Sequence, residues 1–316
     1  MTLPSATDSD LSISKTEQGE SLPLVSVAIP AYNHAAFIEA CLASVCAQTY
    51  PELELVLIDD GSSDATFELA QSFLSAHQSR FRRIVLEKRK NQGVSANSNA
   101  CIEACQGEWV HLLGSDDTIY PNKVERIQAS IKEWNCPELA LVFASSDQIN
   151  SEGKKEIGRP AKESLLAPGL NFHTTRTVFL GKSGISNPTL ALHRKKLLAI
   201  GGFDPQLVLE DFDFWLRLSI HHAFARLPEI LASYRKHPGN SLRQRTKMLS
   251  GGLVTCAKFL ESGGALTKRH FASIFAKVFG VAGGASEARL LGCFRRSFGR
   301  WYTACGIPRR LKITAI

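Results

Sequence analysis

The sequence has no apolar run of about 18 or more residues, so no membrane-spanning helix is predicted. None of its eight cysteines forms a C-x-x-C pair. In a long chain with no secretion signal they read as reduced, buried thiols; Cys101 and Cys105, one helical turn apart, are the pair that could share a metal, although free cysteine usually behaves as a small core residue. The opening stretch, MTLPSATDSDLSISKTEQGE, has neither a basic n-region nor an apolar h-region. Residues 1–22 are therefore expected to be a disordered segment, and the protein is expected to be cytoplasmic. Acidic residues are missing from the last 29 positions, which hold Arg289, Arg295, Arg296, Arg300, Arg309, Arg310 and Lys312. Those seven charges equal the net charge of +7, so the rest of the chain is balanced and carries no general nucleic-acid-binding surface.

What is present is ordinary globular composition, 44% hydrophobic and 21% charged over 316 residues, and the first half is strongly alternating. Apolar strands are read at PLVSVAIP, LELVLID, RRIVLEK, EWVHLL and ELALVFAS. Helical spacing fills the gaps at AAFIEACLASVCAQ, ATFELAQSFLSAH, VSANSNACIEAC and NKVERIQASIKEW. Strands alternating with helices imply a mostly parallel sheet flanked by helices on both faces. Such sheets bind ligands beyond the carboxyl ends of their strands. The first four strands exit into PAYNH, DDGSSD, NQGVSANSN and GSDD, and two of these carry paired aspartates. Like charges side by side repel, and burying them is costly unless something compensates, so polar exits on one edge describe a site.

The second half reads as an exposed hairpin at DQINSEGKKEIG, then a strand, a short helix and a Gly-Gly turn in NPTLALHRKKLLAIGGFDP. A helix follows at LVLEDFDFWLRLSIHH, then two short strands, AFARLP and LASYRKH. Beyond about Met248 the pattern is helical. From Leu290 on, apolar residues at helical spacing with arginines between them fit either a packed helix or a basic amphipathic helix lying on an anionic membrane.

Taken in order, VSVAIPAYNHAAFIEACLASVCAQTYPELELVLIDDGSSDAT, NQGVSAN, GSDD, GGFDP, EDFDFWLRL and YRKHPGNS resemble the family 2 inverting glycosyltransferases over about Pro23 to Leu242. The resemblance implies a GT-A fold spanning 23–245. A Rossmann-like nucleotide-binding half would cover 23–118 and an acceptor half 119–245, followed by a helical, basic extension at 246–316. It implies a nucleotide-sugar donor, a UDP-sugar by preference, a divalent metal (Mn or Mg), and a single displacement onto a saccharide or lipid-linked acceptor in surface polysaccharide synthesis. Carried over residue by residue, Pro30, Ala31, Tyr32 and Asp60 line the base pocket, with Asn91 and Gly93 in the donor loop. Asp116 lies near the ribose, Asp117 and His237 hold the metal, Asp211 is the catalytic base and Glu210 its neighbour. Gly201 and Gly202 would allow close backbone approach to donor or acceptor.

Two departures stand out: Gly114 where many relatives have the first carboxylate of D-x-D-D, and Ser98 where many have arginine. Residues 289–316 leave peripheral contact with the inner face of the cell membrane open. Two rivals remain. A sugar nucleotidyltransferase would show a glycine-rich phosphate loop after the first strand, which PAYNHAAF lacks. A non-catalytic scaffold would lose the base, yet Glu210–Asp211 is intact.

Overall fold

The computed structural model describes residues 22–156, 164–179, 183–207, 209–240, 254, 255 and 258. The expected N-terminal segment lies outside these residues, apart from Leu22. So does the C-terminal extension, apart from Val254, Thr255 and Lys258.

The first half is a parallel block. β1 (Val25–Ala31), α1 (Ile38–Cys46), β2 (Leu53–Asp59), α2 (Thr66–Ala76), β3 (Arg83–Lys88), α3 (Val94–Ala104) and β4 (Trp109–Leu112) follow one another, and the strands pair in the order β3-β2-β1-β4. β1 and β2 are buried almost throughout because helices cover both faces, while β3, at the sheet edge, is half-buried. Val25, Val27 and Ile29 of β1 and Leu53, Leu55 and Leu57 of β2 pack beneath α1 and α2. Their alternates Ala28, Val56 and Ile58 pack on the opposite face with Cys101 and Ile102 of α3. Cys101 and Cys105 are both buried there, and burial pushes the Cys105 thiol up to about 12. Glu54, on β2, departs from the apolar pattern. It is fully buried and accepts hydrogen bonds from Ser26, Arg83 and the backbone N–H groups of Gln106 and Gly107. Burial alone would raise its pKa; these donors outweigh that and hold it below the usual carboxylate range.

The second half is mixed. It comprises β5 (Thr118–Ile119), α4 (Lys123–Trp134), β6 (Leu139–Ile149), β7 (Gly169–Asn171), α5 (Thr175–Phe179), β8 (Ala191–His193), α6 (Arg194–Ala199), α7 (Glu210–His221) and β9 (Ala223–Arg235). The full sheet runs β3-β2-β1-β4-β8-β6-β9-β5, with β7 also on β9. β8 is antiparallel to both β4 and β6, and β9 is parallel to β6. Hence β9 runs in the same sense as β4, and its carboxyl end reaches the edge where β1–β4 end.

Three expectations are modified. The strands read at AFARLP and LASYRKH form one thirteen-residue strand, β9. Pro228 fits inside it because the β6–β9 register slips there, from Phe143↔Arg226 to Ser145↔Ile230, so no ladder N–H is required of the proline. The hairpin is formed mainly by the end of β6: the turn closes with Gly153 N–H on Asn150 O, and among the described residues the return arm pairs through the Ile149↔Lys155 bridge. β5 and β7, of two and three residues, have no counterpart in the sequence reading. Among the described residues no helix is long and apolar enough to cross a membrane.

Candidate active site

The site is built at the shared strand edge. Where β2 ends, Asp59 and Asp60 divide their work. Asp59 is fully buried and ties down the following turn, accepting from Ser62 N–H at 2.8 Å and Ser62 Oγ at 2.6 Å. Asp60 reaches across to the loop after β3, taking the N–H groups of Gln92 (2.8 Å, Oδ1) and Gly93 (2.9 Å, Oδ2). Its own N–H donates to Ala31 O, which fixes the exit of β1. Gly61, at φ +75°, lets these loops touch: a Cβ there would meet Arg89 O at 2.9 Å. Pro30 is half-buried, Ala31 buried, and Tyr32 is 47% exposed at the mouth. Asn91 is exposed beside Gly61. Ser98 is buried, while Lys88 and Arg89 are paired with Glu68 and Glu87.

The GSDD segment is held by β5, which pairs with Ser233 and Ala232 of β9 and so draws the end of β9 onto the aspartates. The two carboxylates then have different partners. Asp117 is buried, and its Oδ1 accepts the backbone N–H of Arg235 at 2.8 Å. Burial, reinforced by Asp116, holds its pKa well above the usual range. Asp116 meets His237, Nε2 to Oδ2 at 3.0 Å. The structure therefore places Asp116, rather than the expected Asp117, against His237. Both aspartates lie in the turn before β5, closed by Asp117 N–H on Gly114 O, and the Arg235 N–H takes Oδ1 of Asp117, which leaves Asp116 to His237. Gly114 belongs to the same geometry, since a Cβ there would stand 2.8 Å from Asp116 Oδ1.

Several residues of this cluster carried no firm role in the sequence. His34 brings a ring nitrogen to Asp116 and His237, the three candidate ligand atoms lying within 4.8 Å of one another. Burial lowers the His34 pKa, against the pull of Asp116. Its Nδ1 lies 2.8 Å from Ser115 Oγ. Phe37 packs against both imidazoles, at ring-centroid separations of 5.9 and 4.7 Å. Arg235 donates to Asp116 O and lies over the Phe37 ring. Asn240 accepts from His237 N–H and donates to Arg235 O, closing the turn after β9. The P-G-N run in YRKHPGNS was the available signal for that turn.

Glu210 and Asp211 open α7, both half-buried. Asp211 Oδ2 accepts from Asn187 Nδ2 at 3.0 Å, and its Oδ1 from the N–H of Phe212 at 2.6 Å. Asn187 precedes β8, which descends from the common edge, so Asp211 faces that edge too. The Gly-Gly turn also makes contacts within the fold. Gly202 (φ +65°) presses on the Asn99 side chain, which both accepts from Phe203 N–H and donates to Phe203 O at 2.8 Å. Arg217, paired with Asp213 at 2.7 Å, donates to Ile200 O and Gly202 O. The turn thus clamps α7 to α3. Trp215 is half-buried and packs on the main core.

An α/β sheet with paired carboxylates at its strand exits and an imidazole returned to them by a late strand is the plan of a GT-A fold. The chain belongs to the family 2 glycosyltransferases: the family model described as Glycosyl transferase family 2 matches residues 26–200, more than half of its length. Escherichia coli chondroitin synthase is 28% identical over 221 residues, 70% of this chain but only 30% of that protein. Among solved structures, Staphylococcus aureus TarS 1–349 in complex with UDP-GlcNAc superposes with a TM-score of 0.65 at 18% identity, over 91% of this chain and 82% of that one. The Pyrobaculum calidifontis mannosyltransferase PcManGT, in complex with GDP-Man and Mn2+, gives 0.59 at 18% identity, over 90% and 84%. At these identities the structural likeness is one of fold.

Proposed function

We propose that the chain moves one sugar from a nucleotide-sugar, a UDP-sugar, to a saccharide or lipid-linked saccharide acceptor with inversion, in polysaccharide assembly at the cell surface. The observation that carries the reading is the convergence at one sheet edge of the Asp60-tethered loop, the Asp116–His237 pair and the Asn187-held Asp211. The chondroitin synthase likeness supports the polysaccharide setting, and the UDP-GlcNAc and GDP-Man complexes support a nucleotide-sugar donor.

In this reading Pro30, Ala31, Tyr32 and Asp60 form the wall against the base, and Asn91 and Gly93 border the donor loop. Asp116 and His237 are a carboxylate and an imidazole 3.0 Å apart, a donor pair that fits a divalent ion. They take the metal role first expected of Asp117 and His237. A bound Mn or Mg would neutralise charge on the departing diphosphate. Asp211 takes the proton of the acceptor hydroxyl as its oxygen bonds to the anomeric carbon; the bond to the diphosphate oxygen breaks, and that oxygen keeps the electron pair. Glu210 flanks the acceptor.

The test is calorimetric titration of UDP with Mn present and with Mn chelated, on the wild type, Asp116→Asn and Asp211→Asn. The reading expects metal-dependent binding that is lost in Asp116→Asn and kept in Asp211→Asn, which in turn loses transfer. Binding of UDP without regard to metal, or transfer surviving in Asp211→Asn, overturns it.

A further inference from the structure

We infer that His34 is a third protein ligand of the metal, giving a two-imidazole, one-carboxylate site that selects transition-metal ions over Mg. The inference rests on the proposed metal role of Asp116 and His237 and extends it.

The geometry comes from three segments far apart in sequence. His34 follows β1, Asp116 follows β4 and His237 follows β9, yet their candidate ligand atoms fall within 4.8 Å of one another. That spread suits ligands converging on one ion at the roughly 2.0–2.2 Å bond lengths of nitrogen and oxygen donors. The His34 and His237 rings meet edge to face, 5.5 Å between centroids at 90°, so they approach the shared space from different directions.

His34 is also held as a ligating histidine should be. Its N–H donates to Thr66 Oγ1 at 2.8 Å, and its carbonyl accepts from both Phe37 and Ile38 at 2.9 Å. With the proton on Nδ1, that N–H donates to Ser115 Oγ, and the lone pair sits on Nε2. A hydrogen bond from the second ring nitrogen is the usual device that fixes the tautomer of a metal-bound imidazole. Ser115 lies beside Asp116, so one short segment both supplies a ligand and orients another.

The donor set decides the preference. Position 114 is glycine and offers no side-chain oxygen, Oδ1 of Asp117 is taken by the Arg235 N–H, and the ligand atoms that cluster are those of His34, Asp116 and His237. Two nitrogens and one oxygen suit Mn, Co, Ni or Zn, whereas Mg favours an all-oxygen shell.

The experiment measures Co(II) and Mg(II) binding to the full chain by calorimetry, with and without saturating UDP. Pulsed electron paramagnetic resonance of the Mn(II) complex then counts directly bound nitrogens. The inference expects Co(II) at least 100-fold tighter than Mg(II) in the wild type, and two bound nitrogens. In His34→Ala, Co(II) should weaken at least 10-fold, Mg(II) should change less than 3-fold, and one nitrogen should remain. His34→Gln, which keeps bulk at the position, should behave the same and guards against misfolding. Unchanged Co(II) affinity and nitrogen count in both variants, with binding lost in Asp116→Asn, would overturn the role of His34 and leave the Asp116–His237 site standing. Co(II) binding that survives Asp116→Asn, or is absent from the wild type with and without UDP, would overturn both.

Discussion

Asn187 donates its side-chain N–H to Asp211 Oδ2 at 3.0 Å, joining the turn before β8 to the first residues of α7. The other carboxylate oxygen is taken by the N–H of Phe212. Asp211 is therefore oriented from two sides, and the Asn187 bond is the one a substitution can remove without breaking the helix. A hydrogen bond to a charged group contributes about 1.5–3 kcal/mol, which is roughly 10- to 100-fold in rate if it is needed to aim the base. Asn187→Ala should lower kcat by that factor with the donor KM unchanged, and Asp211→Asn should lower it by about 10²–10⁴. Steady-state kinetics on both variants checks this. A rise in donor KM without a fall in kcat would place Asn187 in donor binding instead.

The Asp60 carboxylate supports the loop after β3 through two backbone N–H groups. Asp60→Ala removes both acceptors. Amide hydrogen exchange at residues 91–93 should then rise by an order of magnitude or more, and UDP affinity should fall at least tenfold. Asp60→Asn, which turns one acceptor into a donor facing an N–H, should resemble Asp60→Ala. Weaker UDP binding with unchanged exchange at 91–93 would show that Asp60 acts through direct contact with the base alone.

Gly202 is a point where the backbone itself decides. Its φ of +65° is unfavourable for any other L-residue, and a Cβ would stand 2.5 Å from Asn99 Oδ1, whose amide is already committed twice to Phe203. Gly202→Ala should cost about 1–3 kcal/mol. That corresponds to a fall in Tm of roughly 2–4 °C per kcal/mol in a domain of this size. Asn99→Ala should cost a comparable amount by freeing the same turn, and the double variant should cost less than the sum, because the two share one contact. Additive losses would separate the turn from the clamp.

The tail makes a prediction from composition alone. Residues 289–316 hold seven basic side chains, no acid, and Trp301 and Tyr302 among apolar residues at helical spacing. Near an anionic surface each basic residue contributes about 1 kcal/mol. The full chain should cosediment with vesicles containing anionic lipid and release at high salt, and deletion of 289–316 should abolish this. Equal partitioning of the deletion variant would assign the tail to packing on the catalytic part.

Much of this was legible before any coordinates. β1 to β4 are apolar runs broken by small polar exits, and physical chemistry allows few other readings of LELVLIDDGSS. The hidden parts share one cause. β5 is two residues long and carries no periodicity, yet its pairing with Ser233 and Ala232 brings the end of β9, with Arg235 and His237, to the aspartates just before it. His34 and Asn187 act through partners 81 and 24 residues away, so no local pattern marks them. β9 read as two strands because Pro228 lacks a ladder N–H and breaks the pattern, whereas in the fold it sits where the β6–β9 register slips. Glu54 and Lys123 are charged positions inside otherwise apolar surroundings, which a strand or helix pattern treats as surface.

Lys123 gives the last prediction. Its side chain is fully buried, its ammonium reaches only as far as Leu190 O at 3.5 Å, and the neighbouring His111 has no partner for either ring nitrogen among the described residues. Burial lowers its pKa from 10.5 to about 7. The unfolded chain therefore binds more protons than the folded one between about pH 7 and 10.5, and stability from this group rises with pH across that window. Below pH 7 the burial penalty is complete; above 10.5 it is gone. Lys123→Met keeps the length and removes the charge, so at pH 7 it should stabilise by about 1–4 kcal/mol, as replacements of buried charge by apolar groups can. The advantage should shrink as pH approaches 10, in thermal melts of both proteins across that range. A variant less stable than wild type at pH 7, or a gap independent of pH, would mean that the ammonium is better solvated inside the fold than its neighbours indicate.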